Sequence, residues 1–282
     1  KMVQPKTKKT TMKKLLFIPA LLFSITTINA QENLVKNPGF EEHDGKLKKL
    51  GQAEVAVGWL STTAAPSDLF TLDAKKPEIS IPENYQGNQK VMEGNSYAGA
   101  VFYSYRGKEP RTYLTNELTQ SLKKGQMYCV SYKVSLSKLS KYAVNNVSAF
   151  LSKKDPTTKD EATLMYPAQI KHKGNEIYDD QFEFQDVCNS FTANGGEKYL
   201  TIGNFEKDTD TEFKKMRRVK GVTASQTYNA YYYIDEVSVV AIDDASECSC
   251  GPQEARPPKL VYTVATTFDE NATLEQKVNS TA

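Results

Sequence analysis

The feature that most constrains the fold of this chain is a ten-residue stretch of strict alternation. In YCVSYKVSLS, residues 128–137, every second position is apolar or aromatic, while cysteine, serine and lysine occupy the positions between (Tyr128, Val130, Tyr132, Val134 and Leu136 form the apolar set). A period of two residues is typical of a strand with one face in a core and the other toward solvent. The Lys124-Gly125 pair ahead of it supplies a turn, so the pattern predicts a half-buried antiparallel strand.

Similar short segments recur along the chain, separated by clusters of Pro, Gly, Asn and Asp. We expect further strands at residues 97–105, 149–152, 182–187, 198–205 and 231–242. The stretch LTNELTQSL, residues 114–122, fits either a short helix or a strand. Many strands, long loops and little helical periodicity predict an all-β fold, a β-sandwich or jelly roll.

The first thirty residues have the pattern of an export signal. MKKLLFIPALLFSITTINA begins at Met12 with two lysines, continues with an apolar run and ends on the small residue Ala30. The apolar run is shorter than the roughly 20 residues that a membrane-spanning helix needs. We therefore expect residues 1–30 to be a signal peptide, with Met12 as the start. The expected destination is the periplasm or outer membrane, and the cell surface is an alternative.

The C-terminal part of the sequence changes character after the last predicted strand. Residues 246–258 are polar and rich in Cys and Pro, which is typical of a linker, and residues 259–282 begin a further segment that we expect to be truncated. The sequence therefore predicts one folded β-domain at residues 31–245.

The net charge hides an imbalance between the signal and the rest. The whole chain carries a formal charge of +2, but residues 1–30 hold six lysines and no acid, so the remainder is at −4. A nucleic-acid-binding protein needs a clustered basic face. The composition therefore argues against a nucleic-acid partner.

Four cysteines remain in a chain that is expected to reach an oxidising compartment. We expect a disulfide between Cys129 and Cys188. The Cys248-Ser-Cys250 pair is too tight for a relaxed bridge of its own, and it lacks the second pair that a zinc site would need.

Three motifs in order resemble a known group of binding domains. They are NLVKNPGFEE (33–42) followed by Gly58-Trp59, then LTQSLKKGQMYCVSYKVSLS (118–137), then YYYIDEVSVV (231–240). Together they resemble the carbohydrate-binding-module-like, galactose-binding-like jelly rolls over about residues 33–242. The resemblance implies that fold type, with the first and last strands side by side.

The same resemblance implies a metal site. Adjacent first and last strands would bring Glu41 near Asp235, and two carboxylates that meet repel one another unless a cation lies between them. Related modules often hold a structural Ca²⁺ near this place, and the turn Asn37-Pro38-Gly39 offers carbonyl oxygens as further ligands. Alternatively, the two acids are solvated strand ends and Phe40 supplies the core contact.

A narrower resemblance concerns the segments IPENYQGNQKVMEGNSYAGAVFYSY (81–105), SLSKLSKYAVNNV (135–147) and FTANGGEKYLTIGNF (191–205). They resemble the N-terminal region of OmpA-family proteins from Bacteroidetes-type bacteria. This implies an interaction or spacer domain of the cell envelope, with an envelope glycan or protein as partner. Peptidoglycan would be bound only through a C-terminal domain that these residues do not include. The alternative is a dedicated carbohydrate-binding module, free-standing or attached to a glycoside hydrolase.

Candidate ligand-binding residues are aromatic side chains, because the CH faces of sugars stack on rings, together with one arginine that could pair with an anionic group (Tyr85, Tyr103, Tyr105, Arg106 and Tyr231). Trp59, the single tryptophan, fits a structural position better. The basic run 214–221 could contact an anionic polymer or lipid headgroups, although a solvated charged loop is the more usual explanation.

Catalysis has little support in the sequence. The two histidines, His43 and His172, lie in unrelated polar loops without the spacing of a catalytic or metal pair. A glycosidase needs only two placed carboxylates, which an acidic chain always offers. We expect a non-catalytic protein.

Overall fold

A computed structural model describes residues 1–2, 31–171 and 174–248 of the chain. The chain divides into two compact units, Lys1–Ala30 and Gln31–Ala282. All the strands described belong to the second unit. The predicted signal peptide from residue 3 onward, the linker from residue 249 onward and the C-terminal segment lie outside the described residues. No helix within the described part is long and apolar enough to cross a membrane.

The described residues are organised as strands joined by loops and a few single-turn 3₁₀ helices. The 3₁₀ helices span Ala53–Val55, Pro77–Ile79, Tyr105–Gly107, Asp208–Asp210 and Ala245–Glu247. The strands are β1 (Trp59–Ser61), β2 (Asp68–Thr71), β3 (Glu83–Asn84), β4 (Gly87–Asn88), β5 (Ser96–Ser104), β6 (Leu114–Glu117), β7 (Met127–Leu136), β8 (Tyr142–Val144), β9 (Ser148–Ser152), β10 (Gln185–Thr192), β11 (Tyr199–Gly203), β12 (Phe213–Lys215) and β13 (Asn229–Ile242).

Two antiparallel sheets pack face to face. One has the order β1-β6-β11-β9 and the other the order β10-β7-β13-β5-β2, while β8 pairs with β12 and β3 with β4 in two small additional sheets. The main core lies between the large sheets and contains the inward-facing residues of both. The prediction of an all-β sandwich of jelly-roll type is confirmed.

The alternating stretch forms the expected strand. It is β7, whose Val130, Val134 and Leu136 are fully buried between the sheets, and it lies beside β13 near the centre of its sheet. The ambiguous stretch at residues 114–122 is a strand in its first part, β6, so of the two alternatives the strand is confirmed there and the helix is wrong.

The strand predicted at residues 182–187 begins later than expected. It is β10, which starts at Gln185. The Asp180 side chain accepts hydrogen bonds from the backbone N–H groups of Phe182 and Glu183, at 2.8 and 3.0 Å. This local turn takes up the backbone donors that a longer strand would have offered to its neighbour.

The outer face of the five-stranded sheet is also buried, which alternation alone does not predict. Aromatic side chains of β2, β5 and β13 form a second apolar cluster there with Ile81 (Phe70, Tyr97, Tyr231 and Tyr233). The β3–β4 hairpin is fastened to it through Asn84, whose side chain bonds the hydroxyls of Tyr97 and Tyr233 at 3.1 and 2.8 Å. Rings therefore lie on both faces of β13.

The expected Cys129–Cys188 disulfide is wrong. Cys129 is bonded to Cys248, and Cys188 is in a different disulfide. In the β7–β10 register Cys129 lies opposite Ser190, so Cys188 is displaced by two residues on the same face. Such diagonal neighbours are about 7–8 Å apart, too far for a disulfide. The described chain after β13 instead crosses to β7 and closes the bond through Cys248.

Candidate functional site

The opening segment of the domain lies along the last strand. The Leu34 N–H donates to the Val239 carbonyl at 2.9 Å, and the Val237 N–H donates to the Pro38 carbonyl at 3.0 Å. The pairing of β13 with β7 shifts in register between Asp235 and Ser238. This arrangement brings the first and last segments together, as the resemblance implied.

A pocket of about 440 Å³ lies where these segments meet, and it is lined by four carboxylates. We call these four residues the acidic pocket (Glu41, Glu93, Asp235 and Glu236). The nearest cation, Lys133, is 3.8 Å from a Glu236 oxygen but only 2.7 Å from Asp186, which it also neutralises. Negative charge therefore exceeds positive charge in the pocket.

Asp235 is the most unusual of the four because it is only 1% exposed. Its Oδ1 accepts a hydrogen bond from the Glu236 N–H at 2.8 Å, but its Oδ2 has no hydrogen-bond partner among the described residues. The pKa of Asp235 is raised to about 8, chiefly by burial and also by the charges of Glu236, Glu41 and Glu93, against the lowering effect of the hydrogen bond from Glu236. A buried oxygen without a donor is costly unless something binds it.

Glu41, by contrast, is exposed, and its carboxylate already accepts hydrogen bonds from the protein. Its Oε1 accepts from the backbone N–H groups of Asn95 and Ser96, both at 2.9 Å, which fixes the start of β5. Within the described chain no three His, Cys, Asp or Glu side chains converge closely enough to hold a metal ion by themselves. The donors present are oxygens only, and the orphaned Asp235 oxygen fits a hard cation such as Ca²⁺.

The remainder of the opening motif is structural. Phe40 packs on Trp59 with ring centroids 4.5 Å apart, and the Trp59 indole N–H donates to the Asn37 carbonyl at 2.9 Å. His43 contacts the Phe40 carbonyl through its Nε2 at 2.9 Å. His172 lies outside the described residues. The predicted structural position of Trp59 agrees with this geometry.

Two of the candidate aromatic residues do not join the others. Tyr231 is 1% exposed, and its hydroxyl donates to Asp68 Oδ2 at 2.6 Å, so its ring is covered and the prediction that it binds ligand is wrong. Its ring packs edge to face on Tyr233, with centroids 5.8 Å apart, inside the second apolar cluster on that face of the sheet. Tyr85 is well exposed, but it stands on the turn of the β3–β4 hairpin, apart from the remaining candidates.

The other predicted residues meet at one end of the sandwich. We call the rings gathered there the aromatic cluster (Tyr103, Tyr105, Tyr142, Phe213 and Tyr228). Tyr105 stacks on Tyr142 with centroids 5.4 Å apart, and Tyr103 stacks on Phe213 at the same centroid distance. Tyr142 also meets Phe213 edge to face at 5.2 Å. The Tyr105 N–H donates to the Tyr228 carbonyl at 2.9 Å, which joins Tyr228 to the group.

The cluster has a buried base and an exposed top. Tyr103 and Tyr142 are 4% and 2% exposed, whereas Phe213 and Tyr228 are 41% and 43% exposed, and Tyr105 is intermediate. Tyr103 and Tyr142 pack against Phe213, and Tyr142 packs against Tyr105, so these two rings are fixed in place. The arrangement presents rigid apolar faces to solvent, which is the chemistry that stacks on flat, partly apolar ligands.

Sequence reasoning missed three members of this cluster, Tyr142, Phe213 and Tyr228. Tyr142 and Phe213 come together because β8 pairs with β12, in a register that places Phe213 opposite Val144 and Lys215 opposite Tyr142. These strands have only three residues each, too short to show a period in the sequence. The signal that was available is the phrase SLSKLSKYAVNNV, which contains Tyr142.

Comparisons with known proteins describe the fold only. No family model matches the chain, and no curated protein matches it significantly. Among solved structures, the CBM22-1 xylan-binding domain of Paenibacillus barcinonensis Xyn10C is 15% identical, with a TM-score of 0.39, over 77% of this chain and 98% of that chain. TmCBM61 in complex with β-1,4-galactotriose is 11% identical, with a TM-score of 0.33, over 75% and 99%.

A third similar structure is the K1 cleaved adhesin domain of Lys-gingipain from Porphyromonas gingivalis W83. It is 13% identical, with a TM-score of 0.33, over 72% of this chain and 96% of that chain. Similarity at this level does not identify a ligand, so the function has to be argued from the geometry of this chain. The comparisons give no support to the expected OmpA-family relationship, which stays a prediction.

Proposed function

We propose that residues 31–248 form a non-catalytic glycan-binding domain whose binding platform is the aromatic cluster. The observation that carries the proposal is the contrast within the cluster, where the buried Tyr103 and Tyr142 pack on the exposed Phe213 and the half-buried Tyr105. This is the alternative to the envelope spacer considered from the sequence, and the geometry favours it over a spacer, which needs no such platform.

Exposed rings are useful for binding when they are already fixed. Side chains that must be ordered on binding lose conformational entropy, about 0.5–1.5 kcal/mol for each rotamer-rich side chain. In this cluster the ring contacts are made within the protein itself, through the stacking of Tyr105 on Tyr142 and of Phe213 on Tyr103. A sugar ring placed on Phe213 would therefore bind with little of this cost.

The test is a binding screen with immobilised glycans, followed by titration of the best ligand against variants. Phe213→Ala and Tyr228→Ala are expected to weaken binding tenfold or more, since aromatic anchors commonly contribute above about 1 kcal/mol. Met165→Ala removes a similarly exposed apolar side chain outside the cluster and serves as the control. Loss of binding in Tyr85→Ala but not in Phe213→Ala would move the site to the hairpin, and a glycan screen without any ligand would refute the proposal.

We also propose that the acidic pocket holds a structural Ca²⁺, with Asp235 and Glu41 as ligands. The cation would supply the partner that the Asp235 Oδ2 lacks and would offset the repulsion among the four carboxylates. The remaining ligands would be backbone oxygens and water. Its role would be to stabilise the contact between the first segment and β13, not to take part in chemistry.

Thermal unfolding with and without Ca²⁺ tests this second proposal. Ca²⁺ is expected to raise the Tm of the native protein after treatment with a chelator, and Asp235→Asn should abolish the response. Asp68→Asn is the control, because Asp68 is a partly buried carboxylate whose two oxygens both accept hydrogen bonds, from Tyr231 and Gly51. An equal Ca²⁺ response in Asp235→Asn would contradict the assignment.

We propose in addition that the domain works in an oxidising compartment after export. The Cys129–Cys248 disulfide supports this, since such bonds are rare in reducing compartments. Cell fractionation with a tagged full-length gene product tests it, and a signal in the cytosolic fraction would contradict it. The outer-membrane location and the OmpA-type partner domain rest on the sequence resemblance alone.

A further inference from the structure

Positively charged side chains stand over the exposed rings of the aromatic cluster. The Arg106 guanidinium carbon is 5.1 Å from the centre of the Tyr105 ring. The Lys108 and Lys141 ammonium nitrogens are 4.2 and 4.5 Å from the centre of the Tyr228 ring. These contacts are attractive, because the face of an aromatic ring carries negative potential. They also place three cations at the edge of the platform.

The basic loop at residues 214–220 continues this positive charge. It follows Phe213 directly, so its first residues belong to β12 beside Tyr142. The Met216 N–H donates to the Lys141 carbonyl at 2.9 Å, and the Gln226 amide donates to the Met216 carbonyl at 3.3 Å. The loop is therefore fastened to the same segment that carries Lys141.

The loop lines an open groove of about 520 Å³ together with Phe182, which is 52% exposed. On the other side of Phe182 lies Lys138, whose ammonium nitrogen is 5.2 Å from the centre of that ring. Burial and the nearby charge of Lys90 lower the pKa of Lys138, although Glu183 acts in the opposite sense. Here, too, an exposed ring is bordered by cations.

Few of these cations are neutralised by the protein. Lys214 pairs with Asp179. The other basic residues of this surface form no ion pair with a carboxylate among the described residues, and we call them the basic rim (Arg106, Lys108, Lys141, Lys215, Arg217, Arg218 and Lys220). The formal charge of residues 31–282 is −4. Even so, seven cations of this surface have no carboxylate partner among the described residues. Such a concentration of one charge attracts an anion of opposite charge.

We propose that the ligand of this domain is an acidic polysaccharide, bearing carboxylate or sulfate groups, whose sugar rings stack on the aromatic cluster while its anionic groups pair with the basic rim. The inference rests on the proposed glycan-binding function and adds the class of glycan. Cations lie over the rings of Tyr105 and Tyr228 and follow Phe213 in β12 and its loop, which suits a polymer that carries both apolar ring faces and charged substituents.

Nucleic acids and anionic membranes present related chemistry, but the observations favour a polysaccharide. The Cys129–Cys248 disulfide is typical of a protein that works outside the cytosol, where nucleic acid is not the usual polyanion. A membrane surface would call for a protruding apolar element to insert, whereas the exposed ring of Phe213 lies against the buried rings of Tyr103 and Tyr142. Both alternatives are outcomes of the test.

The experiment measures binding of the disulfide-intact domain to two pairs of polymers that differ in charge. Polygalacturonate is compared with its methyl ester, and dextran sulfate with dextran. The charge variant Arg217→Gln/Arg218→Gln is compared with Lys123→Gln/Lys124→Gln, which makes the same change in net charge on exposed residues ahead of β7. The ring variant Phe213→Ala is included in every series.

We expect at least one acidic polymer to bind tenfold or more tightly than its neutral partner. The charge variant should lose at least threefold in affinity for that polymer, the control pair should lose none, and Phe213→Ala should lose binding as well. Equal binding of an acidic polymer and its neutral partner, with Phe213→Ala defective, would overturn this inference and leave the proposed function standing.

Other results separate the alternatives. Binding to acidic polymers that Phe213→Ala leaves unchanged would show charge attraction without stacking, and it would overturn both the inference and the proposed platform. Tighter binding to single-stranded DNA or to phosphatidylglycerol vesicles than to any polysaccharide would replace the polysaccharide by that partner. Circular dichroism and Tm of each variant confirm that the fold is kept.

Discussion

The acidic pocket and the basic rim are two groups of like charges that the protein treats in opposite ways. In the pocket Asp235 is almost completely buried, one of its oxygens is orphaned, and its pKa is raised to about 8 because burial penalises the charged form. In the rim the cations are exposed or half-exposed, and three of them lie over the faces of aromatic rings. An unbalanced charge therefore lowers the stability of the fold where it is buried, whereas an exposed charge remains available for binding a ligand.

The energetic reason is the solvent. Two charges 4 Å apart interact by about 1 kcal/mol in bulk water and several times more in a less polar environment. Water screens the cations of the rim from one another, so their repulsion costs the fold little. Asp235 is shielded from water and must find its compensation in a proton or a bound cation.

The largest expected effect concerns the base of the aromatic cluster. Tyr142→Ala removes a ring that is 2% exposed and packs on three other rings, and such deletions cost about 3–5 kcal/mol of unfolding free energy. Phe213→Ala, at the exposed top, should cost less than about 1 kcal/mol. Urea unfolding of both variants checks this difference, and equal losses would mean that Phe213 is a core residue.

The next effect belongs to the pocket. At a Ca²⁺ concentration 100 times its Kd, binding to the folded state alone should stabilise the protein by about 2.7 kcal/mol, which corresponds to a rise in Tm of roughly 5–10 °C. Calorimetry with stepwise additions of Ca²⁺ checks this. A Tm that does not depend on Ca²⁺ over a thousandfold range would leave the pocket without a metal.

Ligand binding at the basic rim and Ca²⁺ binding in the acidic pocket should respond differently to salt. Raising NaCl from 0.05 to 0.5 M shortens the screening length from above 10 Å to less than half of that, so affinity for an acidic polysaccharide should fall about tenfold or more. The Ca²⁺-induced rise in Tm should persist, because Asp235 is buried. Binding that is insensitive to salt would mean that the basic rim does not contact the ligand.

The smallest effect is a pH dependence at a carboxyl group outside both regions. Burial raises the pKa of Asp68, although hydrogen bonds from Tyr231 and Gly51 act to lower it. A carboxyl with a raised pKa in the folded state contributes stability below its unfolded pKa of about 4 and loses that contribution as the pH rises through its folded value. Asp68→Asn should therefore lose less stability than the native protein between pH 4 and pH 7, as measured by urea unfolding at each pH.

The fold could be predicted where the alternation of apolar and polar residues continues over many positions. The alternation in residues 128–137 and the run at 231–242 predicted the two central strands. The resemblance carried by the motifs at residues 33–42 and 231–240 predicted that Glu41 lies near Asp235. The disulfide could not be predicted, because Cys129 and Cys188 differ in register by two residues, which no spacing in the sequence reveals.

The candidate site was only half visible for a similar reason. Tyr103 lies at the end of β5, and Tyr105 and Arg106 follow it, so the sequence could identify them together. Phe213 contacts Tyr103 only because β12 pairs with β8 over three residues. Tyr231 looked equivalent to them in the sequence but is buried in the second apolar cluster. Whether a ring is exposed for binding or part of a core depends on contacts between segments that are distant in the sequence.

The most direct test of the glycan-binding platform is a titration that observes the rings themselves. Aromatic ¹³C–¹H spectra of the labelled domain, with Phe213→Ala and Tyr228→Ala for assignment, would be followed during addition of the oligosaccharide that binds best. We predict that the Phe213, Tyr228 and Tyr105 signals shift together along one binding curve while the Tyr85 signal stays in place. Shifts confined to Tyr85, or to rings outside the aromatic cluster, would contradict the account.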